Sequence, residues 1–187
     1  LNATGYRLDV STNVSFSGEG GDGVRSVLAT NAAGVTTITN NGWTVGDISG
    51  VTYAQMLKST SVVTSPVFST VGFTNLTVDM KARTYGGAAG ASSNITVSIS
   101  TNDGVDWITI GTVSAWVNTM QALPTLTDTA NLGHSQTRIR WQTLGATGSI
   151  GVGITNLLVQ GWSNGVVAEA YVAGYSNRTV SGTSESV

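Results

Sequence analysis

The sequence predicts an all-β protein, built as an antiparallel β-sandwich with a strand-forming tail at its C-terminus. Three observations support this class. Apolar and polar residues alternate with a period of two, turn-forming clusters separate the alternating segments, and helical periodicity is nearly absent. Many short strands, each with one apolar and one polar face, are typical of an antiparallel sandwich.

The individual strands follow from the alternation, taken in chain order. The clearest are residues 24–30, 76–85, 94–100, 107–113, 138–143 and 151–161. In the second of these, Leu76, Val78 and Met80 alternate with Thr77 and Asp79, which gives the strand one apolar and one polar face. Turn clusters rich in Gly, Asn and Ser separate the strands at 18–23, 40–42, 86–93 and 145–151. The one helical candidate, YAQMLKS at 53–59, is too short to change the class.

Length and composition bound the organisation of the chain. Its 187 residues are enough for one sandwich over residues 1–163. The tail at 164–187 is either an arm that pairs elsewhere or the start of a second domain. Charged residues make up 10% and hydrophobic residues 40% of the chain, which argues against disorder. The net charge of −2 argues against a nucleic-acid partner, and no apolar run is long enough for membrane insertion. Because Leu1 leads directly into NATGYRLDV, without a signal peptide, we expect a mature or excised chain.

A family resemblance adds to this. The stretches at 66–87, 94–113, 137–141 and 150–161 resemble jelly-roll β-sandwich domains of secreted bacterial multidomain proteins, similar to carbohydrate-binding modules. AEAYVAGYSNRTVSGTSESV, at the C-terminus, is similar to the start of a fibronectin type III domain. The resemblance implies a jelly-roll fold, an extracellular, secreted or cell-surface setting, and attachment to glycan.

One hairpin has a motif of its own. Ser100, Asn102, Gly104 and Trp107 resemble the Asp-box hairpin, S-x-D-x-G-x-x-W, with Asn where the box has Asp. In that hairpin the Asx side chain caps backbone amides and the Trp folds back beneath the turn. We expect a structural corner; the alternative is a metal or ligand role for the acids at 103 and 106.

The residues do not favour an enzyme. The chain has one histidine, His134, and no cysteine. Asp128 and many serines are present, but there is no G-x-S-x-G elbow and no second histidine for a zinc site. We therefore expect no catalytic residues.

Calcium is the ion that the loop acids favour. Glu19, Asp22 and Asp47 lie in or beside Gly-rich loops and can supply oxygen ligands. Because no D-x-D-x-D-G run is present, the alternative is that these acids are simply solvated. A structural calcium is the one cofactor that the sequence suggests.

The polar strand faces suggest a carbohydrate site. Lys81, Arg83 and Tyr85 lie on the polar side of one predicted strand, and Arg138, Arg140 and Gln142 lie on that of another. If the two strands are near neighbours, these side chains form one surface suited to sugar hydroxyls or carboxylates. The alternatives are a solvated face or a face covered by another copy.

Two of the five tryptophans extend this prediction. Trp43 and Trp116 lie near loops, where an exposed ring can stack on a sugar. We expect Trp107, Trp141 and Trp162, which lie in or beside strands, to belong to the core.

Two functions follow. The first is a non-catalytic extracellular module that attaches a bacterial surface or secreted protein to glycan or cell-surface polysaccharide. The second is a structural subunit of a cell-surface assembly or filament, joined to other copies by strand exchange. In the second case Tyr171, Val172 and Tyr175 of the tail would be buried in a neighbour's sheet.

Overall fold

The fold is described from a computed structural model. The structure describes residues 14–15, 24–31, 42–50, 52–163, 169–170 and 178–179. Within these residues the fold is an antiparallel β-sandwich of jelly-roll type, as the alternation predicts. No helix in the described ranges is long and apolar enough to cross a membrane.

The strands are numbered here in chain order. They are β1 Val14–Ser15, β2 Val24–Asn31, β3 Thr44–Gly46, β4 Ile48–Ser49, β5 Ala54–Lys58, β6 Val62–Thr64, β7 Asn75–Tyr85, β8 Asn94–Ser100, β9 Ile108–Ser114, β10 Gln121–Ala122, β11 Leu126–Asp128, β12 Arg138–Thr143, β13 Thr147–Ser163, β14 Glu169–Ala170 and β15 Arg178–Thr179. A short 3-10 turn at Gly90–Ser93 precedes β8.

The first sheet, sheet A, is organised around the long strand β13. On one side β13 pairs with β7 along most of its length. On its other side it pairs first with β5 and then, toward its C-terminal end, with β2. Strand β4 extends the sheet beyond β5, β1 extends it beyond β2, and β10 and β11 lie along the far edge of β7. All these pairings are antiparallel.

The second sheet, sheet B, has five strands in the order β3-β6-β12-β8-β9. Strand β12 is central, and it pairs with β8 from the Arg138–Ser100 pair to the Thr143–Ile95 pair. Sheet B contains neither the first nor the last described strand of the sandwich.

The core lies between the two sheets and follows the period-two pattern. In β7 the buried side chains are Leu76, Val78, Met80 and Ala82, at alternate positions. Sheet B supplies alternating residues of β8 and β12. The largest fully buried side chain is that of Trp141. Burial of this continuous apolar layer is the main stabilising term, at about 25 cal/mol per Å².

Most of the predicted strands are confirmed. The ranges 94–100 and 138–143 agree with β8 and β12, and 76–85 agrees with β7 to one residue. The helical interpretation of 53–59 is wrong, because β5 occupies that segment. Ala54 and Met56 are buried and alternate with the less buried Tyr53 and Gln55, which is the pattern of a half-buried strand.

The tail is described only at β14 and β15, which pair antiparallel. Tyr171, Val172 and Tyr175 lie outside the described residues, so their role in assembly stays a prediction. The similarity of the tail to a fibronectin type III domain, and the boundary at residue 163, also stay predictions.

Candidate functional site

The predicted basic surface is divided between the two sheets. Lys81, Arg83 and Tyr85 lie on β7 of sheet A, whereas Arg138 and Arg140 lie on β12 of sheet B. Each strand turns its apolar residues to the shared core, so the polar residues point in opposite directions. The prediction that they form one surface, which also included Gln142, is therefore wrong. The molecule has two separate polar faces.

On sheet A, Tyr53 and Arg83 meet over Gly153. The guanidinium carbon of Arg83 lies 5.6 Å from the centre of the Tyr53 ring, within the range of a cation–π contact. A Cβ at Gly153 would lie 2.5 Å from two Tyr53 ring atoms and 3.3 Å from Cγ of Arg83. The ring and the arginine stem thus occupy the space that a side chain at this position of β13 would fill.

The strand pairing explains this arrangement. Gly153 is paired with Arg83 on one side and with Gln55 on the other, so one row crosses β7, β13 and β5. Two residues earlier on β13, Gly151 is paired with Tyr85. With glycine at both positions, the central strand presents no side chain between its two neighbours. The side chains on this outer face are therefore those of the neighbouring strands and of Tyr53, which supply aromatic and planar polar groups.

We call this surface the Tyr53 face. Its members are Tyr53, Gln55, Lys81, Arg83 and Tyr85, around Gly151 and Gly153. Lys81 is exposed, and the other four side chains are partly buried. Nε of Arg83 donates to the carbonyl of Thr84 at 3.3 Å, which holds the side chain along its own strand.

Trp116 lies at the edge of this face. The backbone N–H of Thr84 donates to the carbonyl of Val117 at 2.8 Å, which ties the loop after β9 to the outer edge of β7. Trp116, the preceding residue in that loop, is 77% exposed. The prediction of an exposed ring is confirmed for Trp116, while its part in binding stays a prediction.

The other end of sheet A holds a second arginine–aromatic pair. Arg25 lies 5.3 Å from the centre of the Trp162 ring and donates to the side-chain carbonyl of Gln160. Trp162 is only partly buried, so its assignment to the core is wrong. The period of two places it with Gln160 on the outward side of β13, away from the buried Val159.

On sheet B, Arg140 stacks on Trp107. The guanidinium carbon lies 4.3 Å from the ring centre. Trp107 is partly buried and its ring lies outside the sandwich, so the prediction that it belongs to the core is wrong. Gln142 shares this outward face, and its side-chain amide donates to the carbonyl of Ser59 at 3.3 Å.

Arg138 has a structural role on the same strand. Its Nε donates to Oδ1 of Asp103 at 2.5 Å, and its Nη1 donates to the carbonyl of Ser65 at 3.0 Å. These contacts join the tip of the β8–β9 hairpin to the loop after β6. The carbohydrate role predicted for Arg138 is therefore not favoured, because its Nε and Nη1 already have partners.

Trp43 is a core residue, and the prediction that its ring is an exposed sugar platform is wrong. It is 3% exposed, and its ring stacks on that of Trp141 with centroids 5.7 Å apart. Trp43 lies between the turn at Gly42 and the first residue of β3, on the inward side opposite the exposed Thr44, so the ring enters the core. The predicted core position of Trp141 is confirmed.

The β8–β9 hairpin has the bonding expected of an Asp-box. Oγ of Ser100 accepts from the N–H of Gly104 at 2.8 Å, and Oδ1 of Asn102 accepts from the N–H of Asp106 at 2.9 Å. Asp103 and Gly104 both have positive φ, as the tight corner requires. A Cβ at Gly104 would lie 3.4 Å from Cζ2 of Trp107, so the ring does fold beneath the turn.

The predicted metal ligands are not brought together in the described ranges, where no group of three or more His, Cys, Asp or Glu is placed to hold an ion. Asp47 is instead bonded to Lys58 at 2.9 Å and to Thr60 at 2.5 Å. The hydrogen bond from Thr60, together with Lys58, lowers the pKa of the Asp47 carboxyl below its ordinary value. Glu19 and Asp22 lie outside the described residues, so a calcium ion there stays a prediction.

Asp128 and His134 do not form a catalytic pair. The Asp128 carboxylate is buried and accepts from the backbone N–H of Ala130 at 2.9 Å and from the side-chain amide of Asn131. His134 is exposed, and its backbone N–H and carbonyl bond to Thr70. Both residues stabilise the loop between β11 and β12.

Sequence reasoning missed Tyr53 and Gln55. Their segment was interpreted as a short helix, although Ala54 and Met56 alternate with them at the period of a strand. Counting that alternation would have placed Tyr53 and Gln55 on an outward face. Their proximity to Arg83 depends on the pairing of β5 and β7 with β13, which no local pattern records.

Comparison with known proteins supports the fold. No protein-family model matches the sequence, and no curated protein matches it. A family 29 carbohydrate-binding module from Piromyces equi is 11% identical, with a TM-score of 0.47, over 73% of this chain and 89% of that one. The tandem CBM22-1–CBM22-2 domain of Xyn10C from Paenibacillus barcinonensis is 10% identical, with a TM-score of 0.46, over 82% and 51%.

A third structure is similar to this chain with a TM-score of 0.50. It contains the CBM22-1 and GH10 modules of endo-1,4-β-D-xylanase 10B from Clostridium thermocellum, complexed with xylohexaose. It is 10% identical to this chain, with a TM-score of 0.50, over 71% of this chain. The present chain spans 28% of that chain's length. At this identity the likeness concerns the fold, which is that of a jelly-roll β-sandwich.

Proposed function

We propose that this chain is a non-catalytic glycan-binding module of an extracellular protein, secreted by or displayed on a bacterial cell, and that the Tyr53 face binds the glycan. The observation that supports the proposal is the contact of the Tyr53 ring with Arg83 over Gly153, beside the row of Gln55, Gly153 and Arg83 that crosses three paired strands. It combines an aromatic ring and a planar hydrogen-bond donor, both packed over a glycine of the central strand.

The chemistry of these groups suits a sugar ring. The aliphatic face of a pyranose packs on an aromatic ring, and its hydroxyls accept from guanidinium and amide donors. Tyr53 and Tyr85 supply rings, Arg83 and Gln55 supply planar polar groups, and Lys81 supplies a mobile donor. Trp116, at the edge, offers a further ring where a longer chain would leave the face.

The rigidity of the site favours binding as well. Strands β5, β7 and β13 are held by ladder hydrogen bonds, and the Tyr53 ring is packed against Gly153. Little freedom of the Tyr53 side chain is therefore lost when a ligand binds, which lowers the entropic cost of association.

The test is affinity electrophoresis of the whole chain through gels containing neutral polysaccharides. Xylan, β-glucan and mannan form a suitable panel, since a jelly-roll structure of similar fold is complexed with xylohexaose. We expect at least one polymer to retard the protein, and Tyr53→Ala and Arg83→Gln each to weaken that retardation about tenfold. Lys58→Gln, which removes a positive charge outside the face, and Val71→Ala, which trims an exposed apolar residue, are the matched controls.

No retardation by any member of a broad panel would contradict glycan binding. Retardation that survives both Tyr53→Ala and Arg83→Gln would show that the sugar binds elsewhere on the molecule.

A further inference from the structure

We propose a second, separate binding site on the outer face of sheet B, in which Arg140 binds the carboxylate of an acidic polysaccharide. This site lies on the opposite side of the sandwich from the Tyr53 face and does not depend on it.

Arg140 is at the centre of a row of small hydroxyl residues. On β6 it is paired with Thr64, which is paired in turn with Thr44 on β3. On β8 it is paired with Ser98, which is paired in turn with Thr109 on β9. Arg140 is therefore the single charged residue in a row that crosses all five strands of sheet B.

The next outward row contains Gly46, Val62, Gln142, Thr96 and Thr112. It carries no charge. The Oγ atoms of Thr96 and Thr112 lie 3.5 Å apart. Ser98 is buried, but the threonines of the two rows are partly or fully exposed, so a ligand group beside Arg140 meets hydroxyls and one amide, which hydrogen-bond to sugar hydroxyls without attracting further charge.

Strand β12 contains two arginines, and Arg140 is the one without a carboxylate partner. Arg138, two residues earlier on the same face, is paired with Asp103 and with the carbonyl of Ser65. The Nε of Arg140 is buried and has no hydrogen-bond partner within the described part of the chain, where its guanidinium contacts the Trp107 ring instead. The nearby acids are already engaged, since Asp103 binds Arg138 and Asp106 accepts from the Asn102 amide at 2.8 Å.

Trp107 holds the guanidinium in place. One part of the ring lies beneath the hairpin turn at Gly104, and the ring stacks with Arg140. Partial burial lowers the pKa of the Arg140 guanidinium from its ordinary value, but an arginine remains charged at neutral pH. A positioned, partly desolvated and unpaired planar cation matches a carboxylate, which accepts two parallel N–H bonds.

The surroundings select a polymer with sparse negative charge. A nucleic acid presents a phosphate at every step and requires several cations, whereas this face offers one unpaired cation. A carboxylate carried on a hydroxyl-rich chain satisfies both Arg140 and its neighbours. The ligand class we infer is therefore a polysaccharide that contains uronic acid residues.

The probe is polygalacturonate in affinity electrophoresis of the whole chain, beside its methyl ester, in which the carboxylates are neutral. Wild-type protein is expected to be retarded by the acid and at least tenfold less by the ester. Arg140→Gln is expected to lose that difference, and Arg140→Lys to keep a minor part of it. Lys58→Gln, whose charge is already matched by Asp47 at 2.9 Å, is expected to behave as wild type. Thermal unfolding of each variant verifies that the fold is kept.

Three results would contradict this proposal. The first is that polygalacturonate and its methyl ester retard the wild-type protein equally, and the second is that polygalacturonate retards folded Arg140→Gln as strongly as wild type. The third is that dextran sulfate retards the protein as strongly as polygalacturonate of equal charge. The last would mean a general anion contact and not recognition of a carboxylate. These tests are independent of the Tyr53 face, because their outcomes do not depend on whether that face binds neutral polysaccharides.

Discussion

The Tyr53 ring and the Arg83 guanidinium approach each other to 5.6 Å over Gly153, although Tyr53 directly precedes β5 and Arg83 lies on β7. Strands β5 and β7 are not hydrogen-bonded to each other. Both are positioned by β13, which lies between β5 and β7. The absence of a side chain at one central position is thus what allows the ring and the cation to meet.

Gly153→Ala tests this relationship. The added Cβ would meet two Tyr53 ring atoms at 2.5 Å, so the ring must shift from its position over Gly153. Because the ring is the outer end of a side chain, it can shift, and we expect a loss of stability of about 1 kcal/mol or less. Glycan retardation should fall severalfold while the melting temperature changes little. Tyr53→Phe, which keeps the ring, should retain most of the retardation; unchanged binding by Gly153→Ala would contradict the proposed role of the ring.

Substitutions of the two tryptophans predicted to be exposed should have very different effects on the free energy of unfolding. Trp43 is buried against Trp141, so Trp43→Ala should lower the free energy of unfolding by roughly 3–5 kcal/mol. Trp116 is 77% exposed, so Trp116→Ala should change it by less than about 0.5 kcal/mol. Urea unfolding followed by circular dichroism measures both. Similar costs for the two substitutions would contradict the assignment of Trp43 to the core.

The Asn at the Asp-box position has a physical reason. Nδ2 of Asn102 donates to Oδ2 of Asp106 at 2.8 Å. Asn102→Asp would replace that donor by a second carboxylate, and we expect a loss of about 1 kcal/mol at neutral pH. Chemical unfolding at pH 7 measures it, and a stabilising effect of Asn102→Asp at that pH would refute this explanation.

Asp47 gives the fold an acid-sensitive contact. Thr60 and Lys58 lower the pKa of its carboxyl, so the ionised form is favoured in the folded state. The resulting stabilisation is complete above the ordinary aspartate range, near pH 4, and is lost as the pH falls through the lowered pKa. Asp47→Asn should therefore destabilise the protein at pH 7, and the difference from wild type should diminish in acid. Asparagine tolerates the positive φ of 51° at this position, which makes it the matched substitution. A difference that does not depend on pH would contradict this account.

The strands could be predicted from the sequence because alternation is a local property. In β7 the buried Leu76, Val78 and Met80 are every second residue, and the pattern sets both the strand and its inward face. The hairpin corner at Ser100 was predictable for the same reason, since its hydrogen bonds join residues no more than four apart.

The composition of the site could not be predicted, because alternation does not say which strands are neighbours. Arg83 and Arg140 both alternate with buried neighbours, yet β7 and β12 belong to different sheets. Trp43 follows a turn cluster, and its burial depends on Trp141, almost a hundred residues later. Such contacts depend on the topology of the sandwich.

The most direct measurement is the mapping of backbone amide shifts in the ¹⁵N-labelled protein during titration with a soluble neutral oligosaccharide taken from a polymer that retards it. The account predicts that the largest changes occur at Gln55, Arg83, Tyr85 and Gly153, on three strands of one sheet, and at Tyr53, which directly precedes β5. It also predicts that the β12 residues Arg140 and Gln142 are not shifted by the neutral ligand. Changes confined to sheet B or to the β8–β9 hairpin would contradict the assignment of glycan binding to the Tyr53 face.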